Sequence, residues 1–367
     1  MAAFCLNIHA RYQCRHAGAC CRNWAVPAEP HVVDIVNARH LRRAGFTGTL
    51  FLSNSRGAQA GAWTIARDER HDCVFFERDA GGQCVIHREA GMDALPVACR
   101  HFPRRILHDS RGTFISLSHF CPTAARMLLA PASLAVVEAQ PPLRLPPPLE
   151  GLDASEALPP LLRPGLLCDP AGYQVWEYTG IATFARGDLT FGECVDVIAV
   201  ATEAVRLWEP GHESLAERVG TAFDAARFIK GSDIDAQERA MTTAAALSAG
   251  RASDIPPIDR FEEHWERHIA GHFAVFDRAM RNYLAARLFA NWIAYQGRGL
   301  RSIVEWLRVC AAVVRHELLT RVLDSGSPPG EDDFIEAVRT ADLILLHGPD
   351  TAAFAKSVAA LEGPEPR

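Results

Sequence analysis

Beyond residue 165 the apolar positions recur every three or four residues, the period of a helix buried along one face. In "TFGECVDVIAVATEAVRLW", residues 190–208, Cys194, Val197, Ile198, Ala201, Val205 and Trp208 share one side. Thr190 and Glu193 stand in capping-box spacing, which predicts the helix start. Two further amphipathic helices, over 272–296 and 300–323, are joined at "GRG". Another runs from residue 332 until Gly348 and Pro349 stop it. Trp176, Trp208, Trp265, Trp292 and Trp306 read as core anchors of this helical region. No internal repeat is visible.

Before residue 131 the apolar alternation is short and broken. "GTLFLSN", "AWTIARD", "DCVFFERD", "QCVIH" and "GTFISLSH" read as short strands or extended pieces. "HVVDIVNARHLRRAG", residues 31–45, reads as one amphipathic helix ending at Gly45. Such a region is loop-rich and has little regular core for its size, a setting in which a metal can supply stability. Between the two patterns, residues 131–164 hold nine of the 23 prolines. Proline removes an N–H and excludes its predecessor from helix, so this stretch is expected as an extended, surface-lying linker. The fold class expected is α+β. A loop-rich cysteine domain spans 1–130, a linker 131–164 and an all-helical domain 165–367.

Composition fits a globular chain of 367 residues, with 49% hydrophobic and 22% charged positions. Charge is segregated. Residues 1–128 carry 16 Arg and 10 Asp or Glu, a balance of +6; the remainder carries 22 Lys or Arg and 34 Asp or Glu, a balance of −12. The basic part suits thiolate ligands, an anionic cofactor or an acidic partner. No helix-turn-helix or zinc-finger spacing accompanies it, so no nucleic-acid partner is expected. The opening "MAAFCLNIHARYQC" lacks a basic segment followed by a long apolar run, and no apolar stretch approaches a membrane span. A cytoplasmic protein without a membrane partner is expected, and in that reducing compartment dense cysteines bind metal or do redox work more often than they form disulfides.

Eight of the eleven cysteines fall within the first 121 residues. Cys5 precedes the run Cys14, Cys20, Cys21; then come Cys73, Cys84, Cys99 and Cys121. Thiolates are soft ligands that select zinc, copper(I) or iron–sulfur clusters, and one such centre takes four. The seven from Cys14 onward exceed that number, so either some are structural or two centres exist. Adjacent Cys20 and Cys21 reach one metal only if the backbone turns there, because extended neighbours point apart. The competing reading is a set of buried thiols acting as small hydrophobes. His16, His71, His87, His101 and His119 flank the cysteines, as do Arg15, Arg22, Arg100, Arg104 and Arg105. Guanidinium groups there offset cluster charge and can hold a carboxylate or phosphate. Cys168, Cys194 and Cys310 are expected to be isolated thiols of the helical region.

The segments "YQCRHAGACCRNW", "CVFFERDAGGQCVIH", "ALPVACRHFPRR" and "SHFCP" together resemble the cysteine-cluster family of zinc- or iron-chelating proteins, over about residues 11–125. Within it the layout is similar to the flagellin lysine N-methylases. Beyond the linker, "RNYLAARLFANWIAYQ" and "FIEAVRTADLILLHGPD" look like the helical tail of that group. The resemblance implies an iron–sulfur cluster of the 4Fe-4S type, with zinc as the alternative, and methyl transfer from S-adenosylmethionine to lysines of a protein substrate such as flagellin. By motif position, Cys14, Cys20, Cys21, Cys73, Cys84, Cys99 and Cys121 would be the metal cysteines. Arg100, Arg104 or Arg105 would hold the cofactor's carboxylate by bidentate pairing. No Gly-rich strand–loop–helix of the Rossmann kind occurs, so the methyl donor would occupy another type of site.

A lysine must lose a proton before its nitrogen attacks a methylsulfonium, and desolvation lowers its pKa. His87, His101, Asp72 and Glu77 are polar candidates near the cysteines, and the catalytic residue stays open. Two functional classes follow: a lysine methyltransferase dependent on an iron–sulfur cluster, and a non-catalytic zinc- or iron-binding protein whose helical domain docks a partner.

Overall fold

The computed structural model describes residues 2–15, 17–53, 63–78, 81–131, 133–139, 151–228, 233–248, 258–296 and 299–346. It is a mixed α+β protein with two apolar cores of unequal size.

The larger core lies between a five-stranded sheet and a helical body. Strands Arg104–Asp109 and Gly112–Leu117 form its central antiparallel hairpin, with Arg105 opposite Ser116 and Leu107 opposite Phe114. Ala3–Leu6 adds in parallel to the second of these, and Val136–Glu138 pairs antiparallel to it at one edge. Gly151–Ala154 adds in parallel to Arg104–Asp109 at the other edge. Successive strand residues face opposite sides. Phe4, Leu6, Leu107 and Phe114 therefore share the face that packs on the helices, where Phe114 meets Phe289 edge-on at 5.9 Å.

Within 131–164 the described residues include three short strands, as an extended stretch predicts, but they do not form a surface linker. They supply the two edge strands above and a third, Leu161–Arg163, which pairs with Leu166–Leu167. Leu134, Ala154 and Leu162 are buried in the same core as the helices, so the packing has no boundary there. The proline-dense part, 140–150, lies outside the described residues.

In the helical body Leu300–Ser325 is the central element. Its buried positions occur on every side (Ile303, Val304, Leu307, Cys310, Val314 and Leu318 among them), as a helix surrounded by others requires. Phe191–Arg206 starts at the expected capping box: the Thr190 side chain accepts from the Glu193 N–H, and Glu193 returns to the Thr190 N–H. Ser214 and Glu217 repeat that device before Leu215–Ala226. Gly180 is a close-approach point between helices, since a Cβ there would lie 2.6 Å from Leu288. Among the described residues no helix is long and apolar enough to cross a membrane.

Two predicted helices differ in length. The first is Pro30–Ala38 and stops well before Gly45. His40 takes the left-handed conformation, at φ 51°, and the N–H groups of Leu41 and His40 close on the carbonyls of Val36 and Asn37. This is a Schellman ending with histidine where glycine is usual. The second is broken: Asp277–Leu288 is helical, Ala290 is left-handed at φ 53°, and a 3-10 turn covers Trp292–Gln296. Glu177 takes the Ala290 N–H at 2.9 Å, and Asn291 accepts from the Ile293 N–H while donating to the Arg287 carbonyl.

Buried charge ties sheet to helices. At the hairpin tip Arg111 pairs with Asp109 at 2.8 Å and Glu177 at 2.9 Å. Deeper in, Asp342 accepts from the Tyr283 hydroxyl at 2.9 Å and from the His119 N–H, with Arg287 at 3.6 Å. The ring nitrogens Nε2 of His9 and His119 are 3.1 Å apart.

The smaller core belongs to the cysteine-rich lobe. Val26, Val32, Val36, Phe51, Ile65, Val74, Phe75, Val85, Ile86 and Ala98 form it. Its strands are short: Pro27–Ala28, Trp63–Ile65 and Phe51–Ser53 in one sheet, Phe76–Glu77 and Gln83–Cys84 in a hairpin.

Candidate metal centre

Three chain segments bring four cysteines together. Cys20 and Cys21 lie in a 3-10 turn, Ala19–Cys21, so their sulfurs fall on one side, 3.9 Å apart. Gly18 starts this turn at φ 70°, and a Cβ there would sit 2.7 Å from the Phe76 ring, so both conformation and space call for glycine. The Cys73 N–H donates to the Cys21 carbonyl at 2.7 Å, and bridges Arg22–Asp72 and Arg67–Cys73 extend that junction. Cys84 stands opposite Phe76 in the hairpin.

Every pairing among these four thiols is an electrostatic contact: Cys21 with Cys20, Cys73 and Cys84; Cys73 with Cys84 and Cys20; Cys84 with Cys20. Burial pushes the Cys73 thiol up to about 12, against a donating Phe75 N–H. Burial likewise raises Cys84, opposed by the N–H groups of His87 and Ile86. Within the adjacent pair, the hydrogen bond between the sulfurs lowers Cys20 and raises Cys21. Negative charge at Cys21, Cys73 and Cys84 is thus penalised by burial and by neighbouring sulfurs, while at Cys20 the Cys21 thiol favours it. A cation among them reverses that balance, because thiolate binding to metal releases the proton. Among the described residues, no group of three or more His, Cys, Asp or Glu side chains is drawn close enough to close on a metal ion as placed. The fit rests on the chemistry of the donor set: four soft ligands, of which Cys20 and Cys21 touch and Cys73 and Cys84 lie within electrostatic range of them, with backbone N–H groups aimed at Cys73 and Cys84.

The remaining candidates divide. Cys99, on the short helix Val97–His101, packs against the same apolar cluster as Cys73 and Cys84. Cys14 and Cys121 gather instead at Tyr12, whose hydroxyl is 3.5 Å from the Cys121 sulfur. Trp24 links the two groups: its indole N–H donates to the Cys20 carbonyl at 3.0 Å, and its ring stacks on Phe102 at 5.9 Å, beside Tyr12. Cys5 is buried in the sheet, its thiol pushed up to about 11 by burial. Cys168, Cys194 and Cys310 are buried in the larger core.

The arginines expected to hold one carboxylate do not share a site. Arg104 and Arg105 leave their strand on opposite faces, Arg104 over Tyr12 at 5.3 Å and Arg105 over Trp292 at 4.3 Å. Arg100 is on the Val97–His101 helix. The open space beside the thiols is a groove of about 810 Å³ lined by Arg43, Phe46, Arg67, Asp68, Asp72 and Arg78. Arg43 pairs with Asp68 at 2.9 Å and Arg78 with Asp72 at 2.5 Å. Arg67 is bridged through its backbone to Cys73, and burial lowers its guanidinium from the usual value. Among the candidate bases, Asp72 is thus ion-paired, as is Glu77, whose partner is Arg88. His87 lies on the helix that follows Cys84, and His101 is buried. His119 belongs to the network with Asp342. His71 is left-handed, at φ 61°, and makes backbone bonds to Asp68 and Asn23. His16 lies outside the described residues.

Sequence reasoning did not single out Arg43, Arg67, Arg78 or Tyr12. No local pattern marks them; they become neighbours only when the thiol segments fold together. No family model matches the chain, and no curated protein or solved structure matches it either.

Proposed function

We propose that Cys20, Cys21, Cys73 and Cys84 hold an iron–sulfur cluster of the 4Fe-4S type, and that the chain methylates lysine on a protein substrate with S-adenosylmethionine. The observation that carries the metal half is the contact of the Cys20 and Cys21 sulfurs at 3.9 Å, with the Cys73 and Cys84 thiols brought within electrostatic range of them from two further segments. The methyl-transfer half is supported by the sequence resemblance to the flagellin lysine N-methylases. When bound, the cluster supplies redox-active iron and the cofactor a methylsulfonium. The chain's own residues supply binding and proton chemistry. Arg43, Arg67 and Arg78 line a groove of a size for a nucleoside-bearing cofactor, with guanidinium groups for its carboxylate. Asp72 and Glu77 are carboxylates in that wall, available to a lysine proton if their arginine partners release them. The acidic remainder of the chain, residues 129–367 at −12, draws a lysine-bearing partner by long-range steering.

The same ion pairs favour a second reading, a metal-binding protein without catalysis, because a carboxylate held by arginine is a poor base. One assay separates the two. Anaerobically prepared protein is incubated with methyl-labelled S-adenosylmethionine and flagellin. The enzyme reading expects label on lysine, lost in Cys84→Ser together with the cluster. Cluster-loaded protein that neither binds the cofactor nor labels flagellin or any other protein of its own cell leaves the binding reading.

A further inference from the structure

Where the sheet meets the helical body, a cavity of about 40 Å³ opens between Arg105, Ser116, Arg287, Trp292 and Gln296. At about 10–15 Å³ per water position, it holds roughly three waters or one small ion. We infer that this cavity is a binding site for one small oxyanion, of carboxylate or phosphate chemistry.

The charge count is the first reason. Two guanidinium groups, Arg105 and Arg287, meet here. The carboxylate that acts on both is Asp342, already engaged by the Tyr283 hydroxyl, the His119 N–H and Arg287 itself. Among the described residues no carboxylate stands within ion-pairing distance of Arg105, which lies flat over Trp292 at 4.3 Å. One positive charge is left over at a partly buried place, where reduced hydration makes an unpaired charge costly. Burial and the neighbouring Arg287 push the Arg105 guanidinium down to about 10, the strain expected of two cations sharing one anion.

Unfilled donors are the second reason. Arg287 is 5% exposed, yet its Nε is buried without a hydrogen-bond partner. The Trp292 indole N–H is in the same condition, as is the Gln296 side-chain oxygen. Turning the Gln296 amide presents its NH2 instead, a choice that the hydrogen-bond network alone decides. An oxyanion in this cavity is an acceptor of the kind these lining donors lack. Arg105 offers the planar fork that suits a carboxylate or phosphate, held rigid by the indole beneath it. The site is independent of the thiol centre and of the methyl-transfer reading.

Equilibrium dialysis of the full chain tests this, with labelled formate in one arm and labelled inorganic phosphate in the other. Saturable binding of about one equivalent per chain is expected in at least one arm, and which arm responds identifies the source. Arg105→Met should weaken it by about tenfold or more. In anion-poor buffer that variant should also melt higher than the parent, since it removes the unpaired charge, and added anion should not raise its melting temperature. Trp292→Phe keeps the ring and drops only the N–H, so it should bind a few-fold more weakly, and it carries the test if Arg105→Met does not fold. Absence of saturable binding in both arms, or unchanged affinity in the variants, overturns the site.

Discussion

The helical body and the cysteine-rich lobe both bury polar groups, and they satisfy them in opposite ways. In the body, opposite charges meet: Asp342 with Arg287, and Arg111 with both Asp109 and Glu177. For these pairs the protein itself provides each partner, across 55 residues for Arg287 with Asp342 and 66 for Arg111 with Glu177. In the lobe, like groups meet. Cys20, Cys21, Cys73 and Cys84 lie within electrostatic range of one another, and Cys21, Cys73 and Cys84 each ionise less readily for having thiol neighbours. On the proposed reading their complement is a cation from outside the polypeptide. The lobe's core is also smaller and its strands run two or three residues, so a ligand that ties three segments together matters more there.

The largest effect expected in the body comes from removing its central anion. Asp342→Ala leaves Arg287 charged and buried, which should cost about 3–5 kcal/mol in urea unfolding. A loss below about 1 kcal/mol, the worth of a surface pair, would mean that the body does not depend on internal charge pairing. A smaller effect is expected from acid. His9 is held well below its ordinary pKa, first by burial and then by His119 and Arg287. The unfolded chain therefore binds a proton that the folded chain refuses once pH drops under the usual histidine value of about 6.5. Stability is fully present above that pH and falls below it, by at most about 1.4 kcal/mol per pH unit for this group. Unfolding midpoints at neutral and mildly acidic pH should differ more for the parent than for His9→Gln. Equal slopes would remove His9 from the account. The smallest effect is local: Ser214→Ala deletes a capping-box hydroxyl and should cost about 1 kcal/mol without changing the lobe.

What the sequence made legible follows the range of the forces involved. The Thr190–Glu193 box is legible because both members act within four residues. The candidate thiols are legible as a set because cysteine is rare elsewhere in the chain. Which of them converge is not, since that depends on the turn at Ala19–Cys21 and on the Cys73–Cys21 backbone bond across 52 positions. The His40 ending is hidden because glycine is the usual residue there, and Gly45 offered a decoy. The break at Ala290 is hidden for a different reason: it is fixed by Glu177, 113 residues earlier. The extended character of the described flanks of the proline-rich stretch was legible. That its flanks would be recruited as sheet edges was not, because strand pairing is set by partners far away in sequence.

The central claim is that the four facing thiols await a cation. Metal and acid-labile sulfide analysis of the anaerobically purified chain addresses it most directly, run beside Cys20→Ser, Cys21→Ser, Cys73→Ser and Cys84→Ser variants. Iron and sulfide bound to the parent, and diminished in each variant, are predicted; zinc without sulfide would keep the thiol centre and replace its metal. A parent chain carrying neither metal, with all four thiols open to a thiol reagent and the lobe as resistant to amide exchange as the helical body, would contradict it.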